Sequence, residues 1–197
     1  MSEPPAATPP TLRPPVSDAD HAIGRPDAPV TLVEYGDFEC PFCFKAHPIV
    51  TTLRRRLGDE LRFVFRNFPI AESHPHALHA AEAAESVAEH SGVGAYWAMH
   101  DLIYEHQQDS ADALDDAHLL QYAAASGSDP AAVQRDLRAD AFADRVRQDF
   151  MSGVRSGVNG TPTFFINGAR FDGDWTNVEA FAAALQAGSR RPRPPAP

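Results

Sequence analysis

Two cysteines separated by two residues constrain this chain more than any other feature of its sequence. Cys40 and Cys43 are the only cysteines among the 197 residues. Residues 30–33 form an apolar run typical of a buried strand, and residues 44–53 have the pattern of a helix. A pair of thiols at a strand-to-helix junction indicates chemistry, so we interpret the rest of the chain as a scaffold around it.

The composition argues against several classes of function. Hydrophobic residues make up 43% and charged residues 22% of the chain, as in an ordinary globular protein of one domain. The net charge of −10 argues against nucleic acid as the main partner, because phosphate binding needs clustered Lys and Arg. No apolar run approaches the roughly 18 residues that a membrane span needs. Nothing in the sequence resembles a dimerisation segment, so we expect a monomer.

The first 20 residues lack the positive segment and apolar core of a signal peptide. We therefore expect the chain as given to be cytoplasmic, whereas a longer N-terminus with a signal peptide would place it outside the cytoplasm. The cytoplasm is reducing and disfavours a purely structural disulfide, so we expect the cysteine pair to be catalytic, redox-sensing or metal-binding.

The secondary-structure pattern divides the chain into a central domain (21–187) and two proline-rich tails (1–20 and 188–197), which are predicted to be disordered. After a lead-in loop, the domain is predicted to contain a strand, a helix kinked or broken at Pro48, a second strand, a helical block, a hairpin and a closing helix. The predicted bounds are 21–29, 30–35, 40–57, 61–68, 72–156, 163–171 and 177–187. This order predicts an α/β fold with a thioredoxin-like core (28–70 and 157–187), in which a helical insertion (72–156) separates the βαβ and ββα halves.

Two segments of this core resemble DsbA-type thiol–disulfide oxidoreductases of the thioredoxin superfamily. Residues 34–43 read EYGDFECPFC, and residues 157–168 read GVNGTPTFFING. The resemblance covers about residues 20–187, and it extends to the branch that also occurs as a C-terminal domain on sodium/proton antiporters. It implies an enzyme that exchanges disulfides with protein substrates through the Cys40/Cys43 couple, without a cofactor or a metal.

Disulfide exchange requires different properties of the two cysteines. The attacking group is a thiolate, so the attacking cysteine needs a lowered pKa. Cys40 is expected at a helix N-terminus, where free N–H groups and the macrodipole favour negative charge. Cys43 lies one turn later and is expected to be buried and to resolve the mixed disulfide. Pro41 and Phe42 are expected to contact substrate, and because strong oxidants of the family usually carry histidine in place of Phe42, we expect a less oxidising couple.

The resemblance adds three residues to the predicted site. It implies that Pro162 is cis and that its loop lies beside the cysteines, where the Thr161 backbone pairs with an extended substrate. An ordinary trans proline between strands is the alternative. It also implies that Glu34 is a buried acid that exchanges protons with Cys43. The alternative is a carboxylate at the surface end of a strand.

Two other functions are compatible with the residues. The cysteines could hold zinc together with histidine, the candidates being His47, His74, His76 and His79. The chain could instead be a redox-inert binding or regulatory module, although both thiols would then lack a role. A related branch that uses glutathione usually carries serine where this chain has Cys40. The expected partners are protein or peptide thiols and disulfides, with a redox partner protein or glutathione, and the direction of electron flow is open.

Overall fold

The computed structural model describes residues 10–189 and contains a five-stranded sheet with apolar clusters on both faces. The elements are β1 (His21–Ile23), β2 (Val30–Gly36), α1 (Pro41–Leu57), β3 (Leu61–Asn67), α2 (Ala77–His106), α3 (Asp116–Ala125), α4 (Pro130–Arg138), α5 (Ala143–Arg155), β4 (Thr163–Ile166), β5 (Ala169–Phe171) and α6 (Val178–Ser189). The strand order is β1-β3-β2-β4-β5, with β2 and β3 parallel and the other pairs antiparallel. The predicted α/β fold, thioredoxin-like with a helical insertion, is confirmed.

The central strand β2 is covered on both faces. Leu32 belongs to the larger apolar cluster, which includes side chains of α1, whereas Val33 and Tyr35 belong to the cluster on the opposite face. Successive side chains of a strand point to opposite faces, so Glu34 shares the α1 face with Leu32. The strand therefore reads as an apolar run interrupted by one acid, and that acid faces the larger cluster.

Helix α1 begins directly after the first cysteine. Pro41 occupies a position in the first turn where its missing N–H leaves no hydrogen bond unmade, and Gly58, with a φ of 51°, ends the helix. Helix α1 is one element across Pro48, so it is not broken there, which was one of the two predicted outcomes at this residue. The apolar face of α1, which includes Val50 and Leu53 beyond the proline, is buried against the core and holds the helix together.

The helical insertion consists of α2, α3, α4 and α5. Gly92 has a non-helical φ of 82° and divides α2 into two helices. Asn67, at the end of β3, joins the insertion to the core: its side-chain amide donates to Glu85 at 2.7 Å, and its backbone N–H donates to Asp149 at 3.1 Å. The insertion thus binds the same strand end that precedes it in the chain.

The N-terminal strap, defined as residues 10–20, is packed against the sheet, so the predicted disordered tail is wrong in this part. The Leu12 N–H donates to the Gly168 carbonyl at 2.9 Å, and the Leu12 side chain is buried. The Arg66 guanidinium, itself buried, binds the Asp20 carboxylate at 2.7 and 3.1 Å. A buried cation needs such a partner, and the strap supplies it. Residues 1–9 of the predicted tail lie outside the described residues.

Two further bounds differ from those predicted. The predicted lead-in loop contains β1, which pairs antiparallel with β3 and forms an edge of the sheet. Helix α6 continues to Ser189, two residues into the predicted C-terminal tail, and the Gly188 carbonyl accepts a hydrogen bond from the Asn167 side chain at 3.0 Å. Residues 190–197 lie outside the described residues.

Candidate active site

Cys40 is the residue before the first turn of α1. Its backbone is extended (φ −72°, ψ 124°), and its side chain is 3% exposed. The backbone N–H groups of Phe42 and Cys43 have no partner earlier in the helix, and both interact with the Cys40 sulfur. The helix start therefore surrounds this sulfur with hydrogen-bond donors.

These neighbours lower the pKa of Cys40 to about 5 from an ordinary value of 9.0. The hydrogen bond from the Cys43 thiol contributes most, and burial acts in the opposite direction. The Thr161 side chain and the backbone N–H groups of Cys43 and Phe42 lower the pKa further. At neutral pH Cys40 is therefore mainly a thiolate, the form that attacks disulfides.

Cys43 lies one turn later and has the opposite property. Its side chain is fully buried, and burial raises its pKa well above 9.0, with further contributions from Cys40 and Glu34. The Asp37 N–H donates to the Cys43 sulfur at 3.4 Å. The two cysteine side chains lie 4.0 Å apart and both thiols are free. The pair thus consists of an ionised sulfur and a protonated sulfur held in contact.

Glu34 lies on β2, in register with Phe65 on one neighbouring strand and Phe164 on the other. Its side chain is 3% exposed, which is incompatible with a surface carboxylate. Burial raises the pKa of Glu34 to about 8, and the negative charge of Cys40 adds to the shift. The carboxyl is therefore mainly protonated at neutral pH, within electrostatic range of both cysteines.

Thr161 and Pro162 lie in the loop before β4, beside Cys40. The Thr161–Pro162 peptide bond is cis, and the Cys40 sulfur lies 3.5 Å from the Thr161 carbonyl oxygen. The Thr161 hydroxyl oxygen is buried and makes no hydrogen bond of ordinary geometry among residues 10–189, but its interaction with the Cys40 sulfur lowers the pKa of that cysteine. The fold thus brings Thr161 of the second motif to the sulfur of Cys40 in the first motif, although the two residues are 121 positions apart in the sequence.

Two polar residues that support the site were missed by the sequence analysis. Asp37 binds the Cys43 sulfur through its N–H, and its carboxylate accepts a hydrogen bond from His74 at 2.7 Å. Gln107, at the end of α2, donates to the carbonyl of Phe38 at 2.6 Å and to that of Cys40 at 3.2 Å. The position of Asp37 in the turn before the cysteines is a local signal that could have identified it. Gln107 has no such signal, because only the fold brings it to the site.

The exposed surface beside Cys40 is apolar. Pro41 and Phe42 are both exposed, Phe42 by 56%. The ammonium group of Lys45 lies over the Phe42 ring, 5.5 Å from its centroid. A cation in this position holds the ring by a cation–π interaction and leaves its other side to solvent.

The candidate zinc site of cysteines and histidine is not assembled within residues 10–189. His47 binds Asp101 at 3.0 Å, His74 binds Asp37, and His79 binds the exposed Asp116. The group of three potential ligands that does come together, His47, His100 and Asp101, includes neither cysteine. The His47–Asp101 hydrogen bond connects α1 to α2, and Asp101 also binds His100, its neighbour in α2.

Comparisons with known proteins agree with the fold. The family described as Thioredoxin matches residues 16–187. The chain is 45% identical over 181 residues to the Na(+)/H(+) antiporter NhaA 3 of Salinispora tropica, and 40% identical over 189 residues to the Na(+)/H(+) antiporter NhaA of Herminiimonas arsenicoxydans. These matches cover 90% and 95% of this chain but 26% and 29% of the relatives. The chain thus spans about a quarter of the length of the curated relatives it matches, and none of the helices within residues 10–189 is long and apolar enough to cross a membrane.

Solved structures show the same architecture at low sequence identity. BdbD from Bacillus subtilis superposes with a TM-score of 0.79 at 22% identity, over 93% of this chain and 97% of that chain. Alpha-DsbA1 from Wolbachia pipientis gives 0.74 at 19%, over 88% and 92%. The catalytic domain of Proteus mirabilis ScsC gives 0.73 at 18%, over 91% and 93%. With the family match over most of its length, the chain belongs to the thioredoxin family and has the DsbA-type form of the fold.

Proposed function

We propose that this chain is a thiol–disulfide oxidoreductase that exchanges disulfides with protein or peptide substrates through Cys40 and Cys43. One observation carries the proposal: two free cysteines lie 4.0 Å apart at the start of α1, and this arrangement shifts their pKa values in opposite directions. Cys40, at the start of the helix, is the thiolate that attacks, and Cys43, one turn later, keeps its proton. A structural pair of thiols would not need this asymmetry.

The proposed reaction has two exchange steps. The Cys40 thiolate attacks one sulfur of a substrate disulfide, which breaks the substrate S–S bond and releases the other sulfur as a thiolate. Cys43 then loses its proton and attacks the Cys40 sulfur, which breaks the mixed disulfide and releases the second substrate sulfur. The substrate has gained two electrons and the Cys40/Cys43 couple has lost them. The same steps in reverse oxidise a dithiol substrate.

Glu34 is the proposed proton acceptor for Cys43. A pKa of about 8 means that Glu34 can hold or release a proton near neutral pH. Formation of the mixed disulfide removes the Cys40 charge, which contributes to the raised pKa of Glu34. The carboxyl is then more readily ionised at the moment when Cys43 must lose its proton.

Substrate is proposed to bind across the two motifs. Pro41 and Phe42 offer an exposed apolar surface on one side of Cys40, and the Thr161–Pro162 loop borders the other side. An extended peptide could pair with the Thr161 backbone while its disulfide meets the Cys40 sulfur. No cofactor is required, because the couple itself carries two electrons. A redox partner protein or glutathione would restore its starting state.

The stabilised thiolate bears on the direction of electron flow. Comparable cysteines have a pKa of about 7 in thioredoxin and about 3.5 in DsbA. Cys40, at about 5, lies between them, although the Phe42 side chain supplies no hydrogen bond to the sulfur. We therefore propose a reduction potential between those of thioredoxin and DsbA, about −270 and about −120 mV. This places the couple above the reductases and below the strong oxidants.

Reduction of insulin by dithiothreitol tests the proposed activity. The unmodified chain should accelerate insulin precipitation, and Cys40→Ser should abolish the acceleration. Cys43→Ser is the matched control within the motif, because it keeps the attacking sulfur but should stop at a mixed disulfide that can be isolated. Equal precipitation with the unmodified chain and Cys40→Ser would reject the proposed enzyme.

The names of the relatives favour a second candidate function. Sodium/proton antiporters contain a region like this chain as about a quarter of their length, so the domain could act as a redox-inert regulatory module. A redox-inert regulatory module would bind a partner but show no Cys40-dependent turnover. The insulin assay with the two cysteine variants separates the two functions.

A further inference from the structure

The loop after β3 brings a histidine to the cysteine pair. Asp37 is buried in the turn before α1, and its carboxylate accepts hydrogen bonds from two backbone N–H groups, those of Glu39 at 2.8 Å and Ile70 at 2.7 Å. The same carboxylate binds the Nδ1 of His74 at 2.7 Å, while the Asp37 N–H donates to the Cys43 sulfur. Asp37 therefore fixes the loop and the resolving cysteine relative to one another.

The geometry allows His74 to carry a proton without losing its anchor. Its Nδ1 faces Asp37, and its Nε2 has no hydrogen-bond partner among the described residues. The side chain is 17% exposed, so Nε2 can exchange a proton at the edge of the site. Protonation at Nε2 leaves the bond between Nδ1 and Asp37 in place and makes it charge-assisted.

The surroundings favour the charged form of His74. Burial alone lowers its pKa, but the hydrogen bond to Asp37 and the negative charges of Asp37, Cys40 and Glu39 together outweigh burial and raise the pKa. The Cys40 thiolate is thus one of the groups that stabilise the imidazolium. Because an interaction between two charges acts on both partners, the imidazolium stabilises the thiolate in return.

Three other titratable groups in the described part of the chain have an electrostatic interaction with Cys40, and none of them is a cation: Glu34 from β2, Cys43 from α1 and Tyr104 from α2. Asp37 and Glu39, in the turn before α1, add negative charge beside His74. Within the CxxC motif, Phe42 offers only its backbone. His74 is the base among these groups.

We propose that His74, held by Asp37, is a positioning residue that stabilises the Cys40 thiolate and so makes the couple more oxidising. This inference rests on the proposed function. Under this proposal, the positive charge that Phe42 cannot supply comes from His74, in a loop outside the CxxC motif.

The variant His74→Asn removes the charge and keeps a donor, because the asparagine amide can bind Asp37 as Nδ1 does. We expect the pKa of Cys40, measured from the pH dependence of its alkylation, to rise by up to about one unit. At neutral pH the equilibrium constant for reduction by glutathione should fall up to about tenfold. The matched control is His79→Asn: His79 also binds an aspartate, Asp116, through Nδ1 at 2.7 Å, but its side chain is 42% exposed. It should leave both quantities unchanged, and an unchanged Cys40 in the His74→Asn protein would overturn the proposal.

The unmodified protein offers a second test that does not depend on a variant folding. The ring protons of His74 can be titrated by NMR in the dithiol and disulfide forms. Oxidation removes the Cys40 thiolate, so the pKa of His74 should be lower in the disulfide form. Equal values in the two forms would overturn the proposal.

Failure of the inference differs from failure of the proposed function. Cys40-dependent insulin reduction with an unchanged His74→Asn protein would reject the role of His74 and leave the enzyme standing. A redox-linked change in His74 without insulin reduction would support the charge interaction and reject the enzyme.

Discussion

Replacement of Glu34 by glutamine is expected to stabilise the reduced protein while slowing its proposed reaction. Burial, and then the Cys40 charge, raise the pKa of Glu34 from 4.5 to about 8. Between these two values the folded protein holds a proton that the unfolded chain has released. Ionisation of Glu34 therefore does not reduce the free energy of unfolding below the pKa of the unfolded state. The reduction grows as the pH rises and is complete above the pKa of the folded state.

Linkage between protonation and folding gives the size of this reduction. With these two pKa values, Glu34 lowers the free energy of unfolding by about 1 kcal/mol at about pH 5 and by about 3 kcal/mol at about pH 7. Well above pH 8 the loss is about 5 kcal/mol. Glutamine has nearly the same shape and does not ionise. The gain in the free energy of unfolding from Glu34→Gln should therefore increase by about 2.5 kcal/mol between about pH 5 and about pH 7. A constant cost of burying the amide cancels in this difference.

Urea denaturation of the reduced proteins over this pH range measures the effect. The exposed Glu60→Gln is the surface control for the same substitution. Isolated mixed disulfides should also be resolved more slowly by Cys43 in the Glu34→Gln protein, because the proposed proton acceptor is gone. A difference in unfolding free energy that stays flat with pH would refute the reasoning, whatever the rate of resolution.

Two further substitutions test other contacts of the fold and site. Thr161→Val removes a hydroxyl that lowers the pKa of Cys40 and that has no other described partner, so the pKa should rise by roughly one unit. Alkylation rates measured against pH would show this, and an unchanged profile would remove Thr161 from thiolate stabilisation. Asp20→Asn leaves the buried Arg66 guanidinium without its carboxylate and should destabilise the protein by about 3 kcal/mol in denaturation experiments. Asp27→Asn, in a pair whose side chains are exposed, is the control and should have a smaller effect; equal effects would contradict the importance of the strap.

The sequence alone predicted the parts of the fold that depend on residues close together in the chain. The cysteine spacing, the strand before it and the proline after it predict the start of α1, and the Asn167-Gly168 turn predicts the hairpin of β4 and β5. The order of strands and helices predicted the thioredoxin-like fold, and the two motifs supplied the resemblance to DsbA-type proteins. The structure also brings Cys40 into contact with Thr161, a contact that the local pattern of either segment alone does not predict.

Long-range partners explain what the sequence did not predict. The strap is rich in proline and has no apolar period, so its composition is typical of disorder. Its order comes from backbone bonds to the sheet edge and from the partner it gives to Arg66. The roles of Asp37 and His74 depend on a loop folding back on the turn before α1. Such contacts join two segments that are distant in the sequence, and the local pattern of neither segment predicts the contact.

Gln107 has a consequence for the separability of this fold. Its amide is the link by which the end of α2 holds the carbonyls of Phe38 and Cys40, just before the reactive helix begins. A minimal scaffold that omitted the insertion would leave the Phe38 carbonyl without the Gln107 donor, whereas the Cys40 carbonyl would keep only the Phe44 N–H, at 3.0 Å. The insertion is thus a structural part of the thiol site, and a graft of the CxxC turn onto a smaller thioredoxin-like protein would need a replacement for Gln107.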